Sequence, residues 1–207
     1  MLPPQGFFFI RRPVMTTGYT RLMRITYLVH TTTTDNEAGL ATGWIQGELS
    51  DNGLKQARSL KETLQERTFD AVFTSDLQRA VKSTELFFDN RFPVFIDWRL
   101  RECNYGIFDG KPVAEFKEGH EAEFISTPYE GGESYGDVEQ RMKSFLDSLS
   151  QLPFEHIAVV AHQAPQLALD VLLKGKSWEQ AIAEDWRKTK SWQPGWEYQL
   201  PSAMEIR

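Results

Sequence analysis

Apolar and polar positions along the chain fall into short runs with the period of strands, separated by longer runs with the period of helices. Arg24-Ile-Thr-Tyr-Leu-Val-His30 is rich in β-branched and aromatic residues and ends in a polar stretch, the pattern of a buried strand. Thr31-Thr-Thr-Thr-Asp-Asn36 follows, with the hydroxyls and amides of a loop. Ser50 has the character of an N-cap. Behind it Leu54, Ala57, Leu60, Lys61 and Leu64 recur at helical spacing and predict a helix from Ser50 to about Arg67. Asp70–Ser75 reads as a second strand, Asp76 to about Phe88 as a second helix, and Val94–Ile96 as a third strand. From residue 99 to 133 no period holds, and Gly106, Gly110, Pro112, Pro128, Gly131 and Gly132 mark a long, loop-rich insertion. Helical spacing returns over Tyr135–Leu149. His156–Ala161 is a fourth strand, about Pro165–Leu173 a further helix, and Gly195–Leu200 a candidate last strand.

Strands alternating with helices imply an α/β protein: a three-layer α/β/α arrangement around a mostly parallel central sheet. In such sheets ligands sit beyond the carboxyl ends of the strands. His30 and His162 both lie at that edge, each directly after an apolar strand. The length of 207 residues has room for one good core, and 14 Phe, 6 Trp and 6 Tyr supply enough buried area to stabilise it without cross-links. Residues 23–207 are read as a single domain, and residues 1–22 as a basic, poorly ordered N-terminal extension.

Charge and composition narrow the function classes. The net charge of -6 argues against a general nucleic-acid binder, which needs a basic face. Residues 1–34 hold Arg11, Arg12, Arg21 and Arg24 and no acid, so the acidity lies in the rest of the chain. That N-terminus has some features of an organellar transit peptide. Its plainer readings are a leader, or an early start with Met15 or Met23 opening the domain; a cytoplasmic protein is the default expectation. No apolar run approaches the roughly 18 residues of a membrane span. A single cysteine excludes an intramolecular disulfide framework and any Cys-rich zinc module. Four histidines, at 30, 120, 156 and 162, form no HExxH or HxH cluster, so no metal is expected, although carboxylate-rich sites stay open.

The chemistry-bearing side chains gather at one sheet edge. His30 follows the first strand, Arg79 lies just inside the helix after the second, His162 follows the fourth, and Glu102 lies in the insertion. Arginine's forked donors match phosphate or carboxylate. A neutral imidazole is a nucleophile at physiological pH. A glutamic acid with a raised pKa could protonate a leaving alkoxide. Together these point to phosphoryl transfer without a metal, with fixed cations stabilising the charge.

Six ordered motifs carry a family resemblance from about Arg24 to about Leu173. Tyr27-Leu-Val-His30 with Thr31 to Asn36 is similar to an LVRHGETxxN segment, and Ser50-Asp-Asn-Gly-Leu-Lys-Gln-Ala57 to an LTxxGxxQA helix start. Thr74-Ser-Asp-Leu-Gln-Arg79 resembles SSxLxRA, and Leu100-Arg-Glu102-Cys-Asn-Tyr-Gly106 resembles LxExxFG. Gly131-Gly-Glu-Ser134 matches GGES, and Val159-Val-Ala-His162 resembles VVSHG. The chain thus resembles the histidine phosphatases of the phosphoglycerate mutase-like superfamily. The resemblance implies a phosphomonoesterase with no cofactor, acting on a small-molecule phosphate ester. His30 would be the nucleophile forming a phosphohistidine, and Glu102 the proton donor and later the base. Arg79 and a protonated His162 would hold phosphate oxygens, with Thr33 and Asn36 as neutral donors.

The chain departs from the family pattern around both histidines. Val29 stands where the family has an arginine before the nucleophile, and Gln163 where a glycine follows the second histidine. The Gly-Glu after the nucleophile is here Thr31-Thr32, and Thr31, Thr32 and Gln163 are candidate substitutes at the phosphate. Losing one such donor costs about 10² to 10³ in rate. Arg24 lies at the far end of a strand roughly 20 Å long at ~3.3 Å per residue. Two alternatives therefore stay open: a weak or silent relative that binds a phosphorylated ligand or partner, and a mutase-type phosphotransferase. Plain structural roles are also available, an ion pair with Asp76 for Arg79 and one with Arg101 for Glu102. Glu133 and Ser134 read as a helix start, His120, His156 and Cys103 as structural or solvated, and Trp186, Trp192 and Trp196 as packing, with an aromatic wall beside the pocket as the alternative. Homo-oligomerisation cannot be read from the pattern.

Overall fold

The computed structural model describes residues 22–117, 119–189 and 195–201. The expected basic extension and Trp192 fall outside the described residues, apart from Leu22 at the start of the first strand. In chain order the elements are β1 (Leu22–Val29), the single-turn α1 (Thr34–Glu37), α2 (Asp51–Leu64), β2 (Ala71–Thr74), α3 (Gln78–Phe88), β3 (Val94–Ile96), α4 (Tyr135–Leu149), β4 (His156–Ala161), α5 (Gln163–Lys174), α6 (Trp178–Ala183) and β5 (Gly195–Pro201). Five strands form one sheet in the order β3-β2-β4-β1-β5; β5 runs antiparallel to β1, and every other pairing is parallel.

Period-two alternation sorts the strand side chains into two cores. Leu28, Val72, Ala158 and Val160 face α2 and α3, where they meet Leu60, Leu64, Phe87 and Phe88. Ile25, Tyr27, Phe73, Ile157 and Val159 face the opposite layer, with Met142, Phe145 and Leu146 of α4 and Leu167 and Leu169 of α5. Both faces of the central strands are dry, which is why those strands read as near-continuous apolar runs. The three-layer expectation is what the structure shows.

Several boundaries differ from the sequence reading, each for a local reason. The stretch expected as loop contains α1, because the Thr33 hydroxyl accepts the Asn36 N–H while the Asn36 side chain accepts the Thr33 N–H, a reciprocal cap. Helix α3 starts at Gln78 because Asp76 is held outside it by Arg101, at 2.5 and 2.8 Å. Helix α5 starts at Gln163 because Pro165 occupies its first turn, where a missing N–H costs nothing. The six residues of α6 are too few for a period to show. The insertion contains four short 3₁₀ turns, tied together by rings: Phe108 on Phe116 at 4.8 Å, Phe124 on Tyr129 at 3.8 Å and Tyr105 edge-on to Tyr129 at 5.1 Å.

Helix α2 bears directly on the segment after His30. The Ser50 N–H donates to the Thr32 carbonyl at 3.0 Å, and the Ser50 hydroxyl caps the helix by accepting the Gly53 N–H at 3.1 Å. A Cβ at Gly53 would lie 2.0 Å from the Thr32 carbonyl oxygen, a backbone atom with no freedom to retreat. Gly53→Ala is expected to cost about 1–3 kcal/mol by overpacking and to displace the segment that follows His30. Urea unfolding read beside turnover checks this; an unchanged midpoint would show that the contact relaxes freely.

Candidate active site

Parallel pairing of β1 with β4 sets the site. The register matches Val29 with Ala161, so the residues that follow, His30 and His162, leave the sheet side by side, and the His30 N–H donates to the Ala161 carbonyl at 3.0 Å. Their ring centroids are 5.0 Å apart. An open cavity of about 840 Å³ lies beyond these strand ends, with His30, Asn36, Arg79, Glu102 and Gln163 on its wall.

His30 is held as a neutral imidazole in one tautomer. Its Nδ1 lies 2.8 Å from the Thr31 carbonyl, an acceptor only, so Nδ1 carries the proton and Nε2 keeps its lone pair. Arg79 Nε donates towards that Nε2 at 3.3 Å. Burial, with the Arg79 charge second, pushes the His30 pKa down to about 3. His162 is fully buried beside it, and burial with the charge of Arg79 pushes its pKa down as well. Neither of its ring nitrogens has a hydrogen-bond partner among the described residues. A buried imidazole with both nitrogens unpaired is costly, and His162 is not among the residues that line the cavity.

Arg79 is buried and meets no carboxylate directly. Its donors go to the carbonyls of Ile45 at 2.6 Å, Gly43 at 2.8 Å and Gln46 at 3.3 Å, besides His30. Asp76 pairs with Arg101 instead, so the expected alternative of an Asp76–Arg79 pair is not what the structure shows. The loop holding Arg79 depends on Gly43, at φ +48°, where a Cβ would lie 1.7 Å from Asp109 Oδ1. Carbonyl dipoles stabilise the guanidinium without cancelling its charge.

Glu102 is held differently from its sequence expectation. Its Oε1 accepts the backbone N–H of Cys103 and of Ala164, both at 2.9 Å, and its Oε2 that of Gln163 at 3.1 Å. Its carbonyl accepts from Trp44 Nε1 and Arg141 Nη2, which fixes the backbone, while Arg101 turns away to Asp76. Burial, the largest influence, raises the carboxyl pKa; the Lys117 charge and the N–H donors outweigh it together and leave the pKa lowered. The raised value expected for a proton donor is therefore absent in the ligand-free protein.

Of the remaining candidates, the cavity wall takes in Asn36 and Gln163 but neither Thr31 nor Thr33. Thr31 turns inward, its N–H donating to Ser83 Oγ at 3.1 Å, and Thr33 caps α1. Thr32 lines the cavity in their stead, its N–H and hydroxyl both donating to Gln56 Oε1, at 3.0 and 2.9 Å. Glu133 is an anchor for Arg141 and Ser134 is the α4 N-cap, while Cys103 is buried with a raised pKa. His156 lies at the opposite end of the sheet, bonded to Thr26 Oγ1 at 2.9 Å. Sequence reasoning missed Gln56, Tyr105, Lys117, Arg187 and Lys188 on the wall, while Trp186 stands there as the aromatic wall that was the alternative to packing. Gln56 and Tyr105 sit in quoted motifs and were within reach; the others come from aperiodic segments.

Comparison with known proteins agrees with this geometry. The family model of the histidine phosphatase superfamily (branch 1) matches residues 26–201. The chain is 26% identical over 163 residues to phosphoserine phosphatase 1 of Hydrogenobacter thermophilus, covering 74% of this chain and 77% of that protein. Among solved structures it is similar to the α-ribazole phosphatase of Shigella flexneri, with TM-score 0.69 and 27% identity over 78% of this chain and 84% of that one. A mycobacterial glucosyl-3-phosphoglycerate phosphatase matches with TM-score 0.68 and 27% identity, over 79% and 84% of the two chains. The chain belongs to the histidine phosphatase superfamily, with its phosphoglycerate mutase-like fold, and its enzyme class is that of a histidine-type phosphatase.

Tyr27 emerges as a positioning residue for His162. Its hydroxyl donates to the His162 carbonyl at 2.7 Å and accepts the His162 N–H at 3.0 Å. Tyr27→Phe leaves that buried N–H unpaired, at about 1–3 kcal/mol, and frees the histidine to turn. Thermal unfolding should fall by about 2–4 °C per kcal/mol for a chain of this size, with a parallel fall in turnover. An unaltered melting temperature would remove Tyr27 from this role.

Proposed function

We propose that the protein hydrolyses small phosphomonoesters without a metal, through a phosphohistidine on His30. The observation that carries this reading is the fixed tautomer of His30, whose unprotonated Nε2 accepts from the Arg79 guanidinium in the cavity. The relatives described above are named for three different small phosphorylated compounds, which supports a small-molecule ester as the substrate class.

In the proposed first step the Nε2 lone pair attacks phosphorus in line, the N–P bond forms and the ester P–O bond breaks. The departing oxygen takes a proton from Glu102. In the second step water attacks phosphorus, gives a proton to the Glu102 carboxylate, and the N–P electrons return to Nε2 as phosphate leaves. Arg79 and a protonated His162 would hold the oxygens whose charge grows in the transition state. Protons balance over the cycle, but Glu102 starts ionised. Its first proton, and the proton that charges the neutral His162, must come with the ester or be taken up as the phosphate charge arrives beside them.

That requirement fixes a pH dependence. A phosphomonoester loses its second proton near about pH 6, and the free Glu102 carboxyl is already held low. His30 stays neutral down to about 3. The kcat/KM value should therefore fall as pH rises through that ionisation, by about tenfold or more between about pH 5 and about pH 8, since each pH unit above a required protonation is a factor of ten. No loss from His30 should occur on the acid side above about pH 4. A profile that rises towards alkaline pH would contradict the proton inventory.

Turnover of a generic aryl phosphate in the presence of a chelator tests the reaction itself. Wild type should turn over unimpaired, and His30→Ala should lose at least about 10³ of the rate, in line with removal of a nucleophile whose neighbours still bind substrate. Rapid mixing should trap acid-labile, base-stable phosphate on the chain. Thermal protection by phosphate with no trapped phosphoenzyme would favour a silent binder instead, the reading that Val29 keeps in view.

A further inference from the structure

The cavity has to hold a phosphoryl group of nearly two negative charges, and the residue before His30 adds none of the neutralisation. Val29 is buried and apolar. Besides Arg79, three cations stand on the wall: Lys117, Arg187 and Lys188. They are not equivalent. Lys117 is buried beside Glu102, and its charge is the first influence drawing that carboxyl down. Lys188 leans towards Glu121 at 3.8 Å. Arg187 is the cation from outside the sheet-edge motifs whose charge bears on both imidazoles, His30 and His162. Arg141 also acts on His162, but its guanidinium is engaged by Glu133 and by the carbonyls of Arg99 and Glu102.

Arg187 is aimed and only partly engaged. It lies on the 3₁₀ turn Trp186–Thr189, with its guanidinium carbon 4.5 Å from the centre of the Trp186 ring. Nη1 contacts Asp185 Oδ1 at 3.0 Å, and the Arg187 N–H donates to the same oxygen at 3.2 Å. Its Nη2 and Nε make no further hydrogen bond among the described residues. Asp185 is itself buried, and its other oxygen accepts the Gln163 side-chain amide. The Gln163 side-chain oxygen Oε1 accepts from Lys117 Nζ at 2.8 Å. One chain of contacts thus runs from the insertion through the start of α5 to Arg187. A glycine at position 163 could not make it.

We propose that Arg187 is the second phosphate-clamping cation of this site, reaching in from the C-terminal turn in place of an arginine before the nucleophile, and that Gln163 positions it through Asp185. The two departures from the family pattern then have one cause: Val29 removes a cation from the strand, and Gln163 helps to install another from the opposite wall. Two free donors of a planar guanidinium suit a pair of phosphate oxygens. The Trp186 ring limits the sweep of the side chain, so little freedom is left to lose on binding.

The inference rests on the phosphatase reading, so its test reads anion binding apart from turnover. Inorganic phosphate and vanadate are titrated calorimetrically into wild type, Arg187→Gln, Arg187→Lys and Gln163→Gly, with kcat and KM for an aryl phosphate measured alongside. Arg187→Gln is expected to weaken phosphate and vanadate binding by at least tenfold and to lower kcat/KM by about 10², as for loss of one clamping donor. Arg187→Lys should recover part of the loss, and its thermal stability guards against a folding artefact, because it keeps the charge. Gln163→Gly should lose about threefold to tenfold in kcat/KM through Asp185, most of it in kcat, with its melting temperature near wild type. Phosphate affinity in Arg187→Gln within threefold of wild type would overturn the proposal whatever the turnover. Full phosphate binding with no turnover in wild type would instead overturn the phosphatase reading and leave Arg187 to be judged on affinity alone.

Discussion

The structure depends on one constraint, the parallel register that sets Val29 of β1 opposite Ala161 of β4 at the centre of the sheet. Two strands ending at the same level deliver two histidines to one place, and a shift by a single residue would turn one of them into a helical layer. The backbone reinforces the arrangement, through the His30 N–H to Ala161 and the Tyr27 hydroxyl to His162. Two imidazoles this close beside a buried guanidinium are tolerable because both stay neutral. Charging either would place like charges together in a desolvated site. Burial and the Arg79 charge thus act together to keep the His30 imidazole neutral.

Glu102 faces the opposite pull. Burial disfavours its charge, whereas Lys117 and three N–H donors, two of them from the first turn of α5, favour it. A carboxylate held between two such terms changes state easily when a third charge arrives. A phosphate entering between Arg79 and Glu102 draws on the first and repels the second. On the proposed mechanism the same event would restore a proton to the carboxyl, so that binding itself prepares the acid. The ligand-free protein shows only the ionised state, a buried carboxylate held by backbone N–H groups.

The scaffold was legible where physical necessity leaves a periodic trace. Strands dry on both faces must be apolar throughout, and α4 must repeat an apolar stripe, so His156–Ala161 and Tyr135–Leu149 match the sequence reading residue for residue. Val94–Ile96 matches it too, as a short β-branched and aromatic run on an exposed edge strand. The histidines were legible because a polar residue ending a buried strand has few plain explanations. Side-chain direction was not legible after the strand end: Thr31, Thr32 and Thr33 are chemically alike, and only packing against Ser83, Gln56 and α1 separates them. Lys117 and Arg187 left no trace, since 3₁₀ turns are too short to repeat and their cohesion comes from ring contacts distant in sequence. The Arg101–Asp76 pair, which frees both Arg79 and Glu102 from their plainest partners, links residues 25 positions apart and has no local signature.

Those aperiodic walls also explain how an acidic chain can admit an anion. The net charge of -6 belongs to a surface in contact with salt, where charges more than about 8 Å apart are largely screened at physiological ionic strength. Inside the cavity the screening is weaker and the local inventory decides. Arg79, Lys117, Arg187 and Lys188 stand against Glu102, Asp185 and Glu121. The acids there are already engaged, Glu121 facing Lys188, Asp185 holding Arg187 and Gln163, and Glu102 tied to backbone N–H groups. What faces an arriving phosphate is then the Arg79 charge, which carbonyls solvate without cancelling, and the guanidinium of the C-terminal turn. Net charge governs solubility and long-range approach, whereas the sign of the site follows from which charges are cancelled within it and which are not.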